Sequence, residues 1–405
     1  MTAYGSLLLS VNIRNLILLV LGHCTLGSTA PMLVLINGFI GVRLAPSEAW
    51  ATLGMGTLVA GTALSTLPAA RLAQAHGRRR GFLAAVGLCL AGSALAMVSI
   101  AIQSFALFCV AMALLGSTLA FVQQFRFAAA ENAEPQRISL AVSLILFAGI
   151  GAAMIGPRLG VVAVNWVPDY PYMGSFLALM LLAVLCGALM WFYRGATVTA
   201  SATPTLRLPR KALWRADYTL GVICGATSFA VMSLVMTATP ISMHHHQGLS
   251  LSDTSAVIQW HIVAMFLPSL LTGYVMQRLG VYWVALLGLL CNLACVYLAL
   301  SGVTLTHYLA ALILLGGGWN ALFMAGTQMV ATTHPGPERF QAQATNDFIV
   351  FACQGVASLC AGFLLAQIGW QGLNMVALAM LLICLMVWLH LVLIKQIGRV
   401  QTATE

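Results

Sequence analysis

ARLAQAHGRRRGF, residues 70–82, sets three consecutive arginines between two apolar stretches. GYVMQRLGVYWVA, residues 273–285, sits in the same setting further along the chain. Ala70, Gln74 and Gly77 recur there as Gly273, Gln277 and Gly280, each 203 positions on. EPQR at 134–137 and GPER at 336–339 repeat at an offset of 202. Two short polar motifs at nearly one offset imply that the chain is two similar halves, the arrangement expected of a transporter built from internal repeats.

Composition fixes what those halves are made of. The chain has 405 residues, 61% hydrophobic and 7% charged, against about 25% charged in an ordinary soluble domain. So few charges cannot clothe a water-soluble surface. Apolar runs recur from residue 7 to 397, each near or above the ~20 residues that cross a bilayer as helix. They are continuously apolar rather than alternating, which argues against a β-barrel. Hydropathy and helix breakers predict twelve spans, near 11–38, 48–73, 81–101, 104–129, 138–165, 172–194, 216–241, 250–278, 281–302, 305–333, 340–367 and 370–396. The first run lacks a basic leader and exceeds a signal-peptide core, so it is expected to be retained. The ten cysteines fall almost all within spans, without disulfide or metal-ribbon spacing, as small core hydrophobes do.

The basic residues orient the chain. Sixteen of the eighteen Lys and Arg fall on one face of the twelve-span map, leaving Arg43 and Arg158 for the other. The positive-inside rule then places both termini in the cytoplasm. The net charge of +9 is thereby a topology signal, and nucleic acid is not an expected partner. The segment 195–215, rich in Thr, Ala, Pro and base, reads as a cytoplasmic linker. It divides an amino-terminal six-helix bundle, 1–194, from a carboxyl-terminal one, 216–405.

PAARLAQAHGRRR, 68–80, resembles the loop motif between spans 2 and 3 of the major facilitator superfamily, G-x-L-A-D-R-x-G-R-R. Leu72, Ala73, Gly77, Arg78 and Arg79 match, whereas Ala70 replaces a Gly and Gln74 an Asp. The resemblance implies a gating role for Gln74, Gly77, Arg78 and Arg79. Because the family's Asp makes charged contacts at the cytoplasmic gate, Gln74 leaves neutral hydrogen bonds there, and the resemblance implies either a weaker gate or one that relies on other contacts. GAAMIGPRLG, 151–160, is similar to the Gly-Pro motif of drug:proton antiporters in the same superfamily. It favours a second reading, proton-coupled export of hydrophobic organic compounds. The resemblance also implies that spans 1, 4, 7 and 10 line a central cavity, with cargo bound near mid-membrane.

Soft ligands collect in the second half. MSLVM on span 7 carries Met232 and Met236, and HIVAM on span 8 carries His261 and Met265. A four-residue step returns a side chain to one helix face. At 1.5 Å per residue, Met232 lies ~13 Å and His261 ~16 Å below the outer ends of their helices. The two pairs are thus expected at one depth, where three thioethers and an imidazole could meet. Thioethers are soft and uncharged and select Cu(I) over oxygen-seeking cations. Among nineteen Met, about one Met-x3-Met arises by chance, and Met386 with His390 on span 12 is another such spacing, expected to face lipid or pack. The paired motifs resemble those of CcoA-like bacterial copper importers, which implies that Met232 and His261 matter most, and implies supply of copper to cytochrome oxidase assembly.

Met243, His244, His245 and His246 are expected in a loop outside span 7, as an accessory metal-collecting mouth or a plain solvated loop. His23 on span 1 is a further accessory candidate. Asp347 in span 11 is the proton-coupling candidate, with a structural hydrogen bond equally open. Asp217 is expected to cap span 7. No nucleotide loop, nucleophile triad or cofactor motif occurs, so neither an enzyme nor a cofactor is expected. The expected partners are a copper ion as transported substrate, taken as Cu(I), and the lipid bilayer, with the bacterial inner membrane as location.

Overall fold

The computed structural model describes residues 13–133, 138–195, 214–333 and 338–402, all as helix and short connections, with no β-strand among them. EPQR, the first two residues of GPER, and residues 196–213 of the linker, with Arg207, Arg210 and Lys211, lie outside the described residues. The helices are α1 (Ile13–Gly27), α2 (Thr29–Leu44), α3 (Leu53–His76), α4 (Arg78–Ala101), α5 (Phe105–Val122), α6 (Phe125–Glu131), α7 (Ile138–Val162) and α8 (Met173–Trp191). They continue as α9 (Ala216–Pro240), α10 (Leu251–Phe266), α11 (Ser269–Leu279), α12 (Val281–Ser301), α13 (Leu305–Thr333) and α14 (Glu338–Thr402).

Among the described residues, nine helical stretches are long and apolar enough to cross a membrane, or ten when α10 and α11 count as one bent span. One of the nine, Thr345–Val392, is 48 residues long and breaks at Gly369, where φ is 66°. The apolar Phe147–Val162 is shorter.

Several expected spans are broken, each for a local reason. Between α1 and α2, Thr25 Oγ1 donates to Leu21 O at 3.0 Å, Ser28 Oγ to Cys24 O at 2.6 Å and Thr29 Oγ1 to Leu26 O at 2.7 Å. Hydroxyls that bond back to helix carbonyls compete with the backbone ladder and bend it. Between α10 and α11 stands Pro268, and the two helices meet at 42°. Proline has no N–H to donate to the preceding turn and its ring crowds the carbonyl there.

The internal repeat has a backbone counterpart. Gly77, between α3 and α4, has φ 83° and ψ 157°, and Gly280, between α11 and α12, has φ 89° and ψ 155°. An added Cβ at either would meet nothing within 4 Å. Glycine is required there by the positive φ and not by lack of room.

The chain divides into two compact units. The first comprises Met1–Ser201 with His244–Ile262, and the second Ala202–Met243 with Val263–Glu405. Within the first, α3 and α5 approach so closely that a Cβ on Gly116 would collide with the Leu58 carbonyl. Within the second, α12 and α13 do the same, with a Cβ on Gly288 only 2.6 Å from Leu322 N. Small residues at crossings are how membrane helices gain close packing without a hydrophobic driving force between them.

Candidate metal and gating sites

Helix α9 carries Met232 and Met236 one turn apart, 6% and 7% exposed. Helix α10 carries His261 and Met265 one turn apart, 0% and 8% exposed. The two helical pairs therefore form as expected, each presenting its side chains along one buried face. Met232, Met236 and Met265 belong to the second unit and His261 to the first. The similarly spaced Met386 is 60% exposed and His390 is exposed too. Burial thus separates the two soft pairs from the chance pair. Among the described residues no group of three or more His, Cys, Asp or Glu could hold a metal ion.

The MHHH stretch is not a loop. Ile241–His246 is a π-helical turn that continues α9. Pro240, at the end of α9, cannot donate to the carbonyl of Met236, and the helix widens beyond it. Met243 is fully buried. His244 Nδ1 bonds to Leu249 O at 2.7 Å, and its ring meets Phe39 edge-on at 5.0 Å. His246 Nε2 pairs with Glu48. His245 is exposed, with its ring 5.8 Å from that of His246. Gln259 Nε2, on α10, donates to Met154 O at 2.9 Å. Three of the four expected mouth residues therefore already have structural partners or burial.

The other candidates separate. His23 Nδ1 is buried with no hydrogen-bond partner among the described residues, and its ring lies 5.7 Å from Phe125. Asp347 is exposed and accepts from Asn346 Nδ2 at 3.1 Å. Asp217 does not cap α9, whose N-cap is Arg215 with no side-chain cap bond. It sits in the first turn and accepts from Tyr282 Oη at 2.6 Å, because the tyrosine reaches it from the start of α12.

At the motif around Gly77, Arg78 Nε and Nη2 reach Glu131 Oε2 and Oε1 at 3.0 and 2.5 Å, and Nη1 donates to Gln124 Oε1 at 2.6 Å. Such a fork on a carboxylate fixes orientation as well as supplying charge-assisted bonds. Arg79 lies over the Trp191 ring at 4.8 Å. Gln74 lies in α3, and its side chain is outside the described set. Glu131 was missed by sequence reasoning. The available signal was its rarity, as one of nine acids placed just past an apolar run.

A family model described as Major Facilitator Superfamily matches residues 221–403. The riboflavin transporter RfnT of Brucella anthropi is 34% identical over 364 residues, covering 89% of this chain and 91% of that one. An uncharacterized MFS-type transporter of Bacillus subtilis, YdeG, is 28% identical over 378 residues, covering 88% and 87%. Among solved structures, a bacterial metal transporter matches with a TM-score of 0.69 at 16% identity, covering 93% of this chain and 98% of that one. A bacterial homologue of the iron transporter ferroportin, in an outward-facing state, matches at 0.62 and 16%, covering 93% and 99%. At such identities the two structures speak for the fold alone.

Proposed function

We propose that this chain, which belongs to the Major Facilitator Superfamily, imports copper across the bacterial inner membrane and so feeds cuproenzyme assembly, including that of cytochrome oxidase. It is a multi-pass membrane transporter and not an enzyme. Met232, Met236, Met265 and His261 take the ion as Cu(I). The observation that carries this reading is selective burial: all four are under 9% exposed, while the decoy Met386 is 60% exposed. Polar and ionisable groups inside a membrane are costly and are kept where they act. An uncharged donor set holds a monovalent ion without trapping it, as a carrier needs.

Twelve spans, with both termini cytoplasmic, pass the cargo by alternating access. Arg78, held by Glu131 and Gln124, supplies the charged contact that Gln74 does not, with Arg79 and the Gly77 turn completing the cytoplasmic gate. His23, His244, His245 and His246 are accessory sites, with His245 and His246 exposed and His246 paired with Glu48, and buried Met243 stands next to them. Asp347 is the group proposed to couple protons. Six-helix halves at 1–194 and 216–405, joined by 195–215, are the moving bodies.

A second reading is import of a flavin-class compound. What favours it is the name of the 34% identical relative, together with an aromatic group in the second unit. Phe229 meets Trp319 edge-on at 5.1 Å, and Trp319 stacks on Phe323 at 5.2 Å. Uptake of radioactive copper and of radioactive riboflavin, measured in parallel in cells expressing wild type, Met232→Ala and His261→Ala, decides between them. Copper uptake lost in both variants supports the first reading. Riboflavin uptake that is unchanged in both variants, with no copper uptake by wild type, supports the second.

A further inference from the structure

We infer that Asn320, on α13, is a positioning residue for the copper ligand Met265, acting through the backbone of the broken span α10–α11. The inference rests on the copper reading of Met265.

The break creates the need. In a continuous helix the Met265 carbonyl would accept from the N–H of Ser269. Leu267 N–H still donates to Val263 O at 2.8 Å, and the ladder is interrupted at Pro268, which has no N–H, where the two helices meet at 42°. The Met265 carbonyl accepts instead from Asn320 Nδ2, at 2.8 Å. The same nitrogen reaches Ser269 Oγ at 2.5 Å, and Asn320 Oδ1 accepts from Thr272 Oγ1 at 2.7 Å. One carboxamide, 2% exposed, thus ties the last turn of α10 to the first turn of α11. Its donor nitrogen and acceptor oxygen are both engaged, as a buried carboxamide requires.

The clamp has a firm base. Asn320 stands one turn from Gly316 and next to the crossing where α13 and α12 approach at Gly288, a Cβ there lying 2.9 Å from Gly318 O. Its neighbour Trp319 meets Phe266 edge-on at 6.4 Å. Two consecutive residues of α13 therefore grip two consecutive residues of α10, Met265 and Phe266. A methionine side chain has three rotatable bonds and adapts readily. What a flexible ligand needs from the fold is a fixed Cα, and at Met265 a broken ladder alone would not hold it. Groups that orient a metal's ligands from behind typically alter affinity 10- to 100-fold when removed.

The test uses full-length protein. Asn320→Leu keeps the size and removes all three bonds, Asn320→Gln keeps the carboxamide, and Thr272→Val removes one bond while leaving Met265 O held. Copper uptake gives KM and Vmax. X-ray absorption of the Cu(I)-loaded protein counts sulfur neighbours, and hydrogen exchange tracks the backbone amides of 264–272. The expected result for Asn320→Leu is a KM about tenfold higher, fewer sulfur neighbours, a nearly unchanged Vmax, and faster exchange at 264–272. Asn320→Gln recovers part of the affinity, and Thr272→Val changes KM less than Asn320→Leu does. Faster exchange with unchanged KM and sulfur count would overturn the assignment, leaving Asn320 a plain helix tie. If Asn320→Leu fails to accumulate, Thr272→Val and Asn320→Gln decide: both at wild-type KM and sulfur count overturn it. Wild-type protein that takes up no copper sinks the copper reading itself, an outcome separate from a variant that matches an active wild type.

Discussion

Gly77 and Gly280 are the same joint used twice. They stand 203 residues apart, with φ of 83° and 89° and ψ within a few degrees of each other. The residues just beyond the two joints differ. After Gly77 come Arg78, forked onto Glu131, and Arg79 over Trp191. After Gly280 come Val281 and Tyr282, whose hydroxyl donates to Asp217 while Trp388 Nε1 donates to its carbonyl. The helices leading into the joints differ too. The 24-residue α3 keeps Pro68 within one helix, whereas the second-half counterpart is split at Pro268 and clamped by Asn320. The repeat keeps backbone geometry and lets side-chain chemistry diverge. Charge is concentrated at the joint of the first half, and the buried thioether and imidazole side chains lie on helices that precede the joint of the second.

The largest structural effect is expected where helices touch through backbone. Gly288→Val puts a branched side chain where even a Cβ lies 2.6 Å from Leu322 N, costing about 3 kcal/mol by overpacking. Thermal unfolding in detergent should fall clearly, and an unchanged midpoint would refute so close a crossing. Gly116→Val, against Leu58 O, should behave alike in the first unit. Next comes Arg78→Leu, which deprives Glu131 of its charged partner and should cost about 2 kcal/mol. Arg78→Lys should recover less than half of that, because an ammonium cannot reproduce the fork. Smaller still are Gly77→Ala and Gly280→Ala. Each places a Cβ at positive φ with ψ of 157° and 155°, a conformation kept almost wholly to glycine, at about 1–2 kcal/mol, and the two losses should match. A difference of more than twofold would show that the joints are not equivalent. The smallest effect belongs to Met386→Ala, at a 60% exposed position, which should leave copper uptake unchanged.

Most of the fold was legible because hydropathy and breakers act locally. The expected span 305–333 coincides with Leu305–Thr333, and 281–302 with Val281–Ser301. The helical pairs at 232/236 and 261/265 were legible for the same reason, since a four-residue step on a helix fixes a face. The break at Ser28 was not, because hydroxyl back-bonding is one of several rotamer choices open to Ser and Thr. The π turn at 241–246 was misread as loop because three histidines look solvated, whereas the turn extends a buried helix beyond Pro240. Glu131 and Asn320 were invisible for a different reason. Their partners lie 53 and 55 residues away, and a single polar residue in an apolar run does not announce which carbonyl or guanidinium it will meet.

The central claim is that the buried soft pairs of the second half carry copper. Its most direct test is initial-rate radioactive copper uptake in cells expressing wild type, Met232→Ala, His261→Ala and Met386→Ala at matched membrane levels. The expected result is uptake by wild type and Met386→Ala, and a fall of about tenfold or more in each of the other two. Uptake that survives in Met232→Ala and His261→Ala would contradict the claim.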